Sequence, residues 1–532
     1  MKEKISLFLV FVGLLCSCDC EHSAFEGNVG SIVAFTLSDN STSYPLTIYK
    51  DSVVFNAPDK LDVAQLMAKV TLSEGATITP DPTTQRDWSK PMKFQVTAPN
   101  NQVREYVYKI NLTPSGDYYD KIAYLTTQQE VNDFAAKGYS KAFGIRIESV
   151  NTEDQRIVDL SGLSTITEIT TTFHLENYYG ETLVGLENLK SATTIEISNR
   201  TIQSISLDNL TKITNLVIGF VYSAPQPATC SGLTSFAAPN LEYIAGDFIL
   251  RSEIKDYSGL QNLKKVEGEM ILQNAAINFR GLEKLAEVNY LTITGSSALE
   301  TCEGLSGLKV VNKLLRFSFL NKLATLNGLA IEQVDQLVLN NIQKLVDLTA
   351  LSSITKLESL EINGLAAIGS LEGLHNLKTV NGNVFLQFLG VAYGDGPRLA
   401  DFKGLRSLET IGGTLSIQQC PKVTSLDGFE KLKSVGGIKF SGLRTLANIN
   451  GFSNLENVTN TLDISGSLIT TLAPLAKLKS FQSIVLKSNS KLVDYCAIKS
   501  LLVEKGSDSF TFMGNKYNPT LAELKSGRCL QE

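Results

Sequence analysis

Histidine and tryptophan are almost missing from this chain: 532 residues hold three histidines and one tryptophan. So little imidazole leaves scant material for general acid–base catalysis or for zinc coordination. An excess of cations is missing too. Lys and Arg number 48 against 54 Asp and Glu, a net charge of −6, so a row of phosphates would go unneutralised and no nucleic-acid partner is expected. The eight cysteines include no C-x2-C pair, which removes the usual framework for a metal. Neither H-E-x-x-H, G-x-S-x-G nor a phosphate-binding loop occurs. The one Gly-x-Gly of note, Gly394-Asp395-Gly396, runs into Pro397 and suits a turn. His22 falls in an N-terminal tether, His174 is expected to face outward between Phe173 and Leu175, and His375 sits on a polar position. These absences argue for a protein that is not an enzyme and uses no cofactor or metal.

What is present is apolar patterning. Apolar residues make up 43% of the chain and charged residues 19%, enough burial to offset chain entropy. Residues 1–18 read as an export signal: Lys2 and Lys4, then an apolar run from Ile5 to Leu15, too short to span a bilayer. The run ends in Leu15-Cys16-Ser17-Cys18, which resembles a bacterial lipobox, and Cys18 is the cysteine expected to carry lipid. Acyl chains there would hold the protein to a membrane. Asp19 and Glu21 follow, similar to the surface-export signal of Bacteroidetes lipoproteins, which implies an outer-membrane protein facing the cell exterior.

After a tether over 19–30, residues 31–113 alternate in short strand-like runs such as Ile32-Val33-Ala34-Phe35 and Tyr106-Val107-Tyr108-Lys109-Ile110, with Pro and Asn/Asp between them. That pattern predicts a small antiparallel β-sandwich. Ala76-Thr77-Ile78-Thr79-Pro80, Trp88 and Phe94-Gln95-Val96-Thr97-Ala98 resemble the Ig-like modules of Bacteroidetes surface lipoproteins, which serve as spacers. Trp88 reads as a packing residue of the sandwich rather than a sugar-stacking platform.

Beyond residue 118 the chain is periodic. With Gly281 as position 0 in Gly281-Leu282-Glu283-Lys284-Leu285-Ala286-Glu287-Val288-Asn289-Tyr290-Leu291-Thr292-Ile293, apolar residues fall at +1, +4 and +7, and many units add −5 and −2. About 14 units, most spaced by roughly 21 to 24 residues, share this frame across 161–490. Period three fits neither a strand nor a 3.6-residue helix; it suits an arc of turns and short 3₁₀ pieces around a core. A terminal alternating pair, as in Leu415/Ile417 or Leu462/Ile464, predicts one short strand per coil, with a glycine pair such as Gly412-Gly413 turning the corner before it. Stacking such coils gives a parallel sheet along a rod of roughly 65–70 Å at about 4.8 Å per coil. Caps are expected at 118–160, with a helix over Thr126–Ala136, and at 491–532, where Cys496 and Cys529 are placed to form a disulfide. Cys302 falls on a core position and reads as a small buried apolar residue.

The unit Leu426-Asp427-Gly428-Phe429-Glu430-Lys431-Leu432-Lys433-Ser434-Val435-Gly436-Gly437, with Gly404-Leu405-Arg406-Ser407-Leu408-Glu409-Thr410-Ile411-Gly412-Gly413, resembles the leucine-rich β-solenoid of receptor L domains and the secreted L-domain repeat proteins of Bacteroidetes. The likeness covers about 121–530 and implies a mainly β, right-handed leucine-rich solenoid with helical end caps. It names no ligand residues.

Two units break the period alike: Ser206 to Ala237 and Gly373 to Gly404 each cover 31 positions (237 − 206 and 404 − 373). Both insertions follow the strand and carry aromatics, Phe220 and Tyr222 in one and Phe388 and Tyr393 in the other. Insertions at one register emerge on one side of a solenoid, so these four are candidate ligand-binding residues, with Tyr178 and Tyr179 after the first coil's strand beside them. The sequence therefore predicts a cell-surface lipoprotein presenting its solenoid to a protein or glycan ligand. A glycan-capture accessory of a polysaccharide-uptake system and a passive envelope spacer are the alternatives. Replacing Cys18→Ser should move the protein from the membrane pellet to the soluble fraction, and unchanged fractionation would contradict the lipid anchor.

Overall fold

A computed structural model of the chain describes residues 30–39, 43–58, 61–113, 117–219, 230–390 and 399–531. They fall into two compact units that divide at residue 117. Among the described residues no helix is long and apolar enough to cross a membrane.

The first unit is a small β-domain of two sheets. One is antiparallel, with Ile32–Ser38 between Ser43–Pro45 and Met67–Leu72. The other has five strands and corrects the expectation of a purely antiparallel sandwich, because Ser52–Pro58 and Val103–Thr113 pair in parallel while the other neighbours are antiparallel. Alternation places Phe35, Phe55, Phe94, Tyr106 and Tyr108 inside, all buried. Trp88 is fully buried among them: its ring meets Phe35 edge-on at 5.6 Å, its Nε1–H donates to Leu66 O at 3.0 Å, and its own carbonyl accepts from the Tyr108 hydroxyl at 2.8 Å. Sugar stacking by Trp88 is thereby removed, because both ring faces are inside the core.

The second unit is a parallel β-solenoid of about 16 turns. Its pairings run without a break from Tyr118–Leu125 to Phe510–Met513. The period-three residues are what fills it. In one coil Leu426, Phe429, Leu432 and Val435, then Ile438 and Phe440 of the strand, are each 2% exposed or less. Short 3₁₀ turns such as Lys403–Leu405, Asn450–Phe452 and Ala473–Leu475 supply the arc, since three residues per turn keep every third side chain on the core side.

Three features depart from the sequence expectation. The array begins one rung before the first anticipated strand, because Tyr118–Leu125 already pairs in parallel with Lys141–Glu148; its sequence lacks the leucine frame and gave no periodic signal. Phe510–Met513 adds a rung at the other end by pairing with Ser483–Lys487, so the turns exceed the roughly 14 framed units. The glycine pairs also do not turn a corner before the strand. Gly412 and Gly413 lie inside Thr410–Gln418, where the register slips between Ile411 and Thr414, and a β-bulge bends the chain without breaking the ladder.

The ends are closed. The helix Gln128–Ala135 begins with a capping box between Thr127 and Glu130 and buries Val131 and Phe134. Hydrogen bonds from the Thr126 and Thr127 backbone hold the Glu130 carboxyl below the usual carboxylate range. At the far end Cys496 and Cys529 are bonded, with Cα atoms 4.9 Å apart, and Tyr495 N–H donates to Cys529 O at 2.8 Å. By loop length such a link is worth on the order of 3–4 kcal/mol. Asn489, fully buried, donates to Ile464 O at 2.9 Å and to Asn515 Oδ1 at 3.0 Å, tying the last two coils to the cap.

In most frames, though not in those with Ser206, Ala237, Ala350 or Pro474 at the same place, a glycine is dictated by contact with the preceding coil. Gly428 has φ +113°, and a Cβ there would lie 1.9 Å from Phe402 O. Gly428→Ala must therefore separate two coils and should lower the thermal midpoint by the equivalent of about 3 kcal/mol or more. Gly466→Ala, at φ +71° with open space around it, carries only the left-handed backbone cost of roughly 1–2 kcal/mol. Equal shifts for the two, followed by circular dichroism, would contradict this origin of the repeat glycine.

Candidate functional site

Each strand of the solenoid turns alternate side chains away from the core, so the in-register sheet displays rows of residues, one per coil. The middle row begins with Arg146, His174 and Glu196, passes through Val217, Ile249 and Ile271, and continues through Thr292, Arg316, Val338 and Glu361 to Phe385. Two residues further along, over seven successive coils, the character changes. Thr294, Ser318, Asn340, Asn363, Gln387, Gln418 and Ser441 stand in register, an amide and hydroxyl row with no charge in it. Asn363 Nδ2 donates to Asn340 Oδ1 at 3.3 Å, and Gln418 Nε2 to Ser416 Oγ at 2.8 Å.

The next residue in each of these seven coils adopts a left-handed conformation: Gly295, Phe319, Asn341, Gly364, Phe388, Gln419 and Gly442 have φ between +51° and +70°. The reason is the ladder. Phe319 N–H donates to Asn340 O at 3.0 Å, Asn341 to Asn363 O at 2.8 Å, Gly364 to Gln387 O at 3.0 Å and Phe388 to Gln418 O at 3.2 Å. A positive φ thus turns the chain off the sheet while keeping one last bond to the next coil. Glycine and asparagine do this readily. Phenylalanine does not, and a bulky side chain in this region costs roughly 1–2 kcal/mol. Both such phenylalanines are exposed, Phe319 at 55% and Phe388 at 44%, so core burial does not compensate that cost.

The sequence candidates are distributed unevenly. Phe388 stands on this edge as the first residue after its strand Val384–Gln387. Phe220, Tyr222 and Tyr393, like Cys18, lie outside the described residues. Tyr178 is no surface residue: it is 3% exposed, and its hydroxyl donates toward Val158 O and Thr182 O, each at 3.0 Å. The left-handed place after that strand belongs to Asn177, which swings Tyr178 into the core. Tyr179 is half-buried, with its hydroxyl bonded to Asn151 Oδ1 at 3.0 Å and the Arg156 guanidinium 4.5 Å above its ring. Phe319 was missed. No insertion follows it, but it holds the same place after Leu315/Phe317 that Phe388 holds after Val384/Leu386, and aligning the coils by strand end rather than by loop length would have found it.

His174 corrects another expectation. Its position does point off the sheet, yet it is only 2% exposed because acidic neighbours wall it in. Nδ1 lies 3.1 Å from Glu196 Oε2, and Nε2 lies 3.8 Å from both Glu148 and Glu176. Glu148, His174 and Glu176 are close enough to hold a metal, and Glu148 is also engaged by the Arg146 guanidinium, so one cation stands among three carboxylates and the group is acidic on balance. The free thiols among the described residues lie inside the core. Cys230, Cys302 and Cys420 are all buried, and burial pushes each thiol up, that of Cys420 to about 11. A cleft of about 280 Å³ at the start of the strands is lined by Glu332, Asp335, Lys356 and Glu358 among others, with no aromatic residue in its lining.

Comparison with known proteins bears on the two units separately. Residues 32–110 match the family model described as SGBP, N-terminal, SGBP denoting the surface glycan-binding proteins of Bacteroidetes. No curated protein matches the chain. Among solved structures it is similar to a candidate glycoside hydrolase of Bacteroides thetaiotaomicron (23% identity, 17% of this chain and 26% of that one, TM-score 0.15). It spans about a quarter of that protein's length. Similarity also extends to a leucine-rich-repeat protein of Leptospira interrogans (17% identity, 65% and 84%, TM-score 0.31). An internalin of Listeria monocytogenes is comparable (15% identity, 69% and 78%, TM-score 0.25).

Burial pushes the Tyr178 hydroxyl up to about 12 from its ordinary 10.0. The folded state therefore favours the neutral phenol, a stabilisation complete below pH 10 and lost as pH rises from 10 toward 12. Tyr178→Phe should lower stability at neutral pH by about 1–3 kcal/mol, since two buried carbonyls lose their donor. It should also flatten the alkaline fall of the thermal midpoint. A steep alkaline fall kept in the variant would show that other groups cause it.

Proposed function

We propose that this chain is a non-enzymatic glycan-capture lipoprotein of the cell surface, anchored in the outer membrane through Cys18 and facing the exterior. The observation that carries the reading is the match of residues 32–110 to the SGBP N-terminal model. That small β-domain acts as the spacer next to the anchor, and the solenoid presents the recognition surface. Support within the solenoid comes from its outer rows: an uncharged amide and hydroxyl row beside exposed aromatic residues is suited to hydroxyl-rich ligands, which offer both hydrogen-bonding edges and apolar ring faces. Capture for uptake, rather than degradation, fits the burial of the described free thiols and of His174.

The test is affinity electrophoresis of the chain lacking residues 1–18 through gels containing single soluble polysaccharides, with reducing ends assayed in parallel. At least one polysaccharide should retard the protein, with no release of reducing ends. Free migration through every gel would sink the glycan reading, and release of reducing ends would contradict the non-enzymatic part.

A further inference from the structure

Phe319 and Phe388 share a feature that folding alone does not explain. Each sits in a left-handed conformation where neighbouring coils use glycine, asparagine or glutamine, and each leaves its ring largely in solvent. Strain held at an exposed aromatic marks a position kept for contact rather than for packing. The two are not adjacent. Their strands are three coils apart in a continuous register, Ser318 to Asn340 to Asn363 to Gln387, so at the spacing of stacked strands the rings are separated by about 14 Å along the solenoid axis. Asn341 and Gly364 fill the two places between them, leaving the space between the rings low. The floor of that space is the amide row.

We infer that this edge of the solenoid is a binding strip for a linear, neutral polysaccharide lying along the solenoid axis, with Phe319 and Phe388 each stacking on a sugar ring and Asn340, Asn363 and Gln387 taking the intervening hydroxyls. The strip deepens the glycan-capture reading and rests on it. Three observations select this occupant. The row carries no lysine, arginine or carboxylate from Thr294 to Ser441, so it offers nothing to pair with sulfate or uronate. Backbone N–H groups at the edge are already spent on the ladder, which leaves no main chain for an added peptide strand to pair with. Coils repeat at about 4.8 Å, close to the advance of one sugar in an extended glycan, so successive amides meet successive rings. A chain of three or four sugars reaches from one phenylalanine to the other; a disaccharide reaches only one.

The experiment uses the chain lacking residues 1–18, parent and Phe319→Asn/Phe388→Asn double variant, titrated calorimetrically with cellohexaose, xylohexaose and mannohexaose, their disaccharides, and oligogalacturonate as an anionic probe. Asparagine already occupies the same backbone position at Asn341, so the thermal midpoint of the double variant should equal or exceed that of the parent. Affinity for the neutral hexasaccharide that binds should fall at least tenfold in the variant, and the parent should prefer it at least tenfold over its disaccharide. A variant that folds and binds as the parent does would overturn the strip while leaving glycan capture intact. Binding of oligogalacturonate alone would overturn the neutral ligand. If the parent binds none of these probes and migrates freely in every polysaccharide gel, the strip and the capture reading fail together.

Discussion

The outer edge of the solenoid depends on one repeated hydrogen bond: from Gly295 to Gln419, the amide of the residue just past the strand donates to the carbonyl at the strand end of the next coil. Keeping that bond while the chain leaves the sheet demands a positive φ, seen from Gly295 to Gly442. Register, and with it every outward row, follows. A slip of one residue would send the buried leucines outward and the amide row into the core. Because register holds, a feature placed at one point of a coil repeats along the axis, and a short motif becomes an extended surface.

That logic separates the rows by role. The inward positions are interchangeable leucine, isoleucine, valine and phenylalanine, and they specify coil closure and little else. Middle-row positions vary along the axis, from the Arg146–His174–Glu196 cluster, through the Val217–Ile249–Ile271 stretch to isolated charges further on. The row at the strand end keeps one chemical character over the seven coils from Thr294 to Ser441, and is charged only beyond them, at Glu148, Glu176, Arg251 and Lys487. A long ligand with a repeating structure is the partner such a row can read, because each added coil contributes the same kind of contact as the last.

Much of this was legible in the sequence, for a physical reason. Core leucines at period three and glycines at coil contacts are imposed by backbone geometry, so the frame anchored on Gly281 or Gly428 could be read directly, as could the helix at Gln128–Ala135 from its Thr127–Glu130 capping box. The bond between Cys496 and Cys529 was likewise anticipated from their position near the chain end. What escaped was set by neighbours in other coils. Tyr118–Leu125 is a rung because Lys141–Glu148 pairs with it, not through any motif of its own. Tyr178 is buried because Asn177 turns the chain, and His174 because glutamates from adjacent coils close over it. Phe319 was overlooked because loop length drew attention to the insertions, whereas the conformation that matters is the left-handed one, which single-sequence reading does not display.

The central claim is that recognition resides on the strand-end edge of the solenoid. Hydrogen–deuterium exchange with and without a saturating bound polysaccharide tests it most directly. Slowed exchange should appear in the peptides covering Leu314–Phe319, Gln336–Asn341, Ser359–Gly364 and Val384–Phe388, with the N-terminal domain over 32–110 unchanged. Slowed exchange confined to 32–110, or to solenoid peptides away from those strand ends, would contradict it.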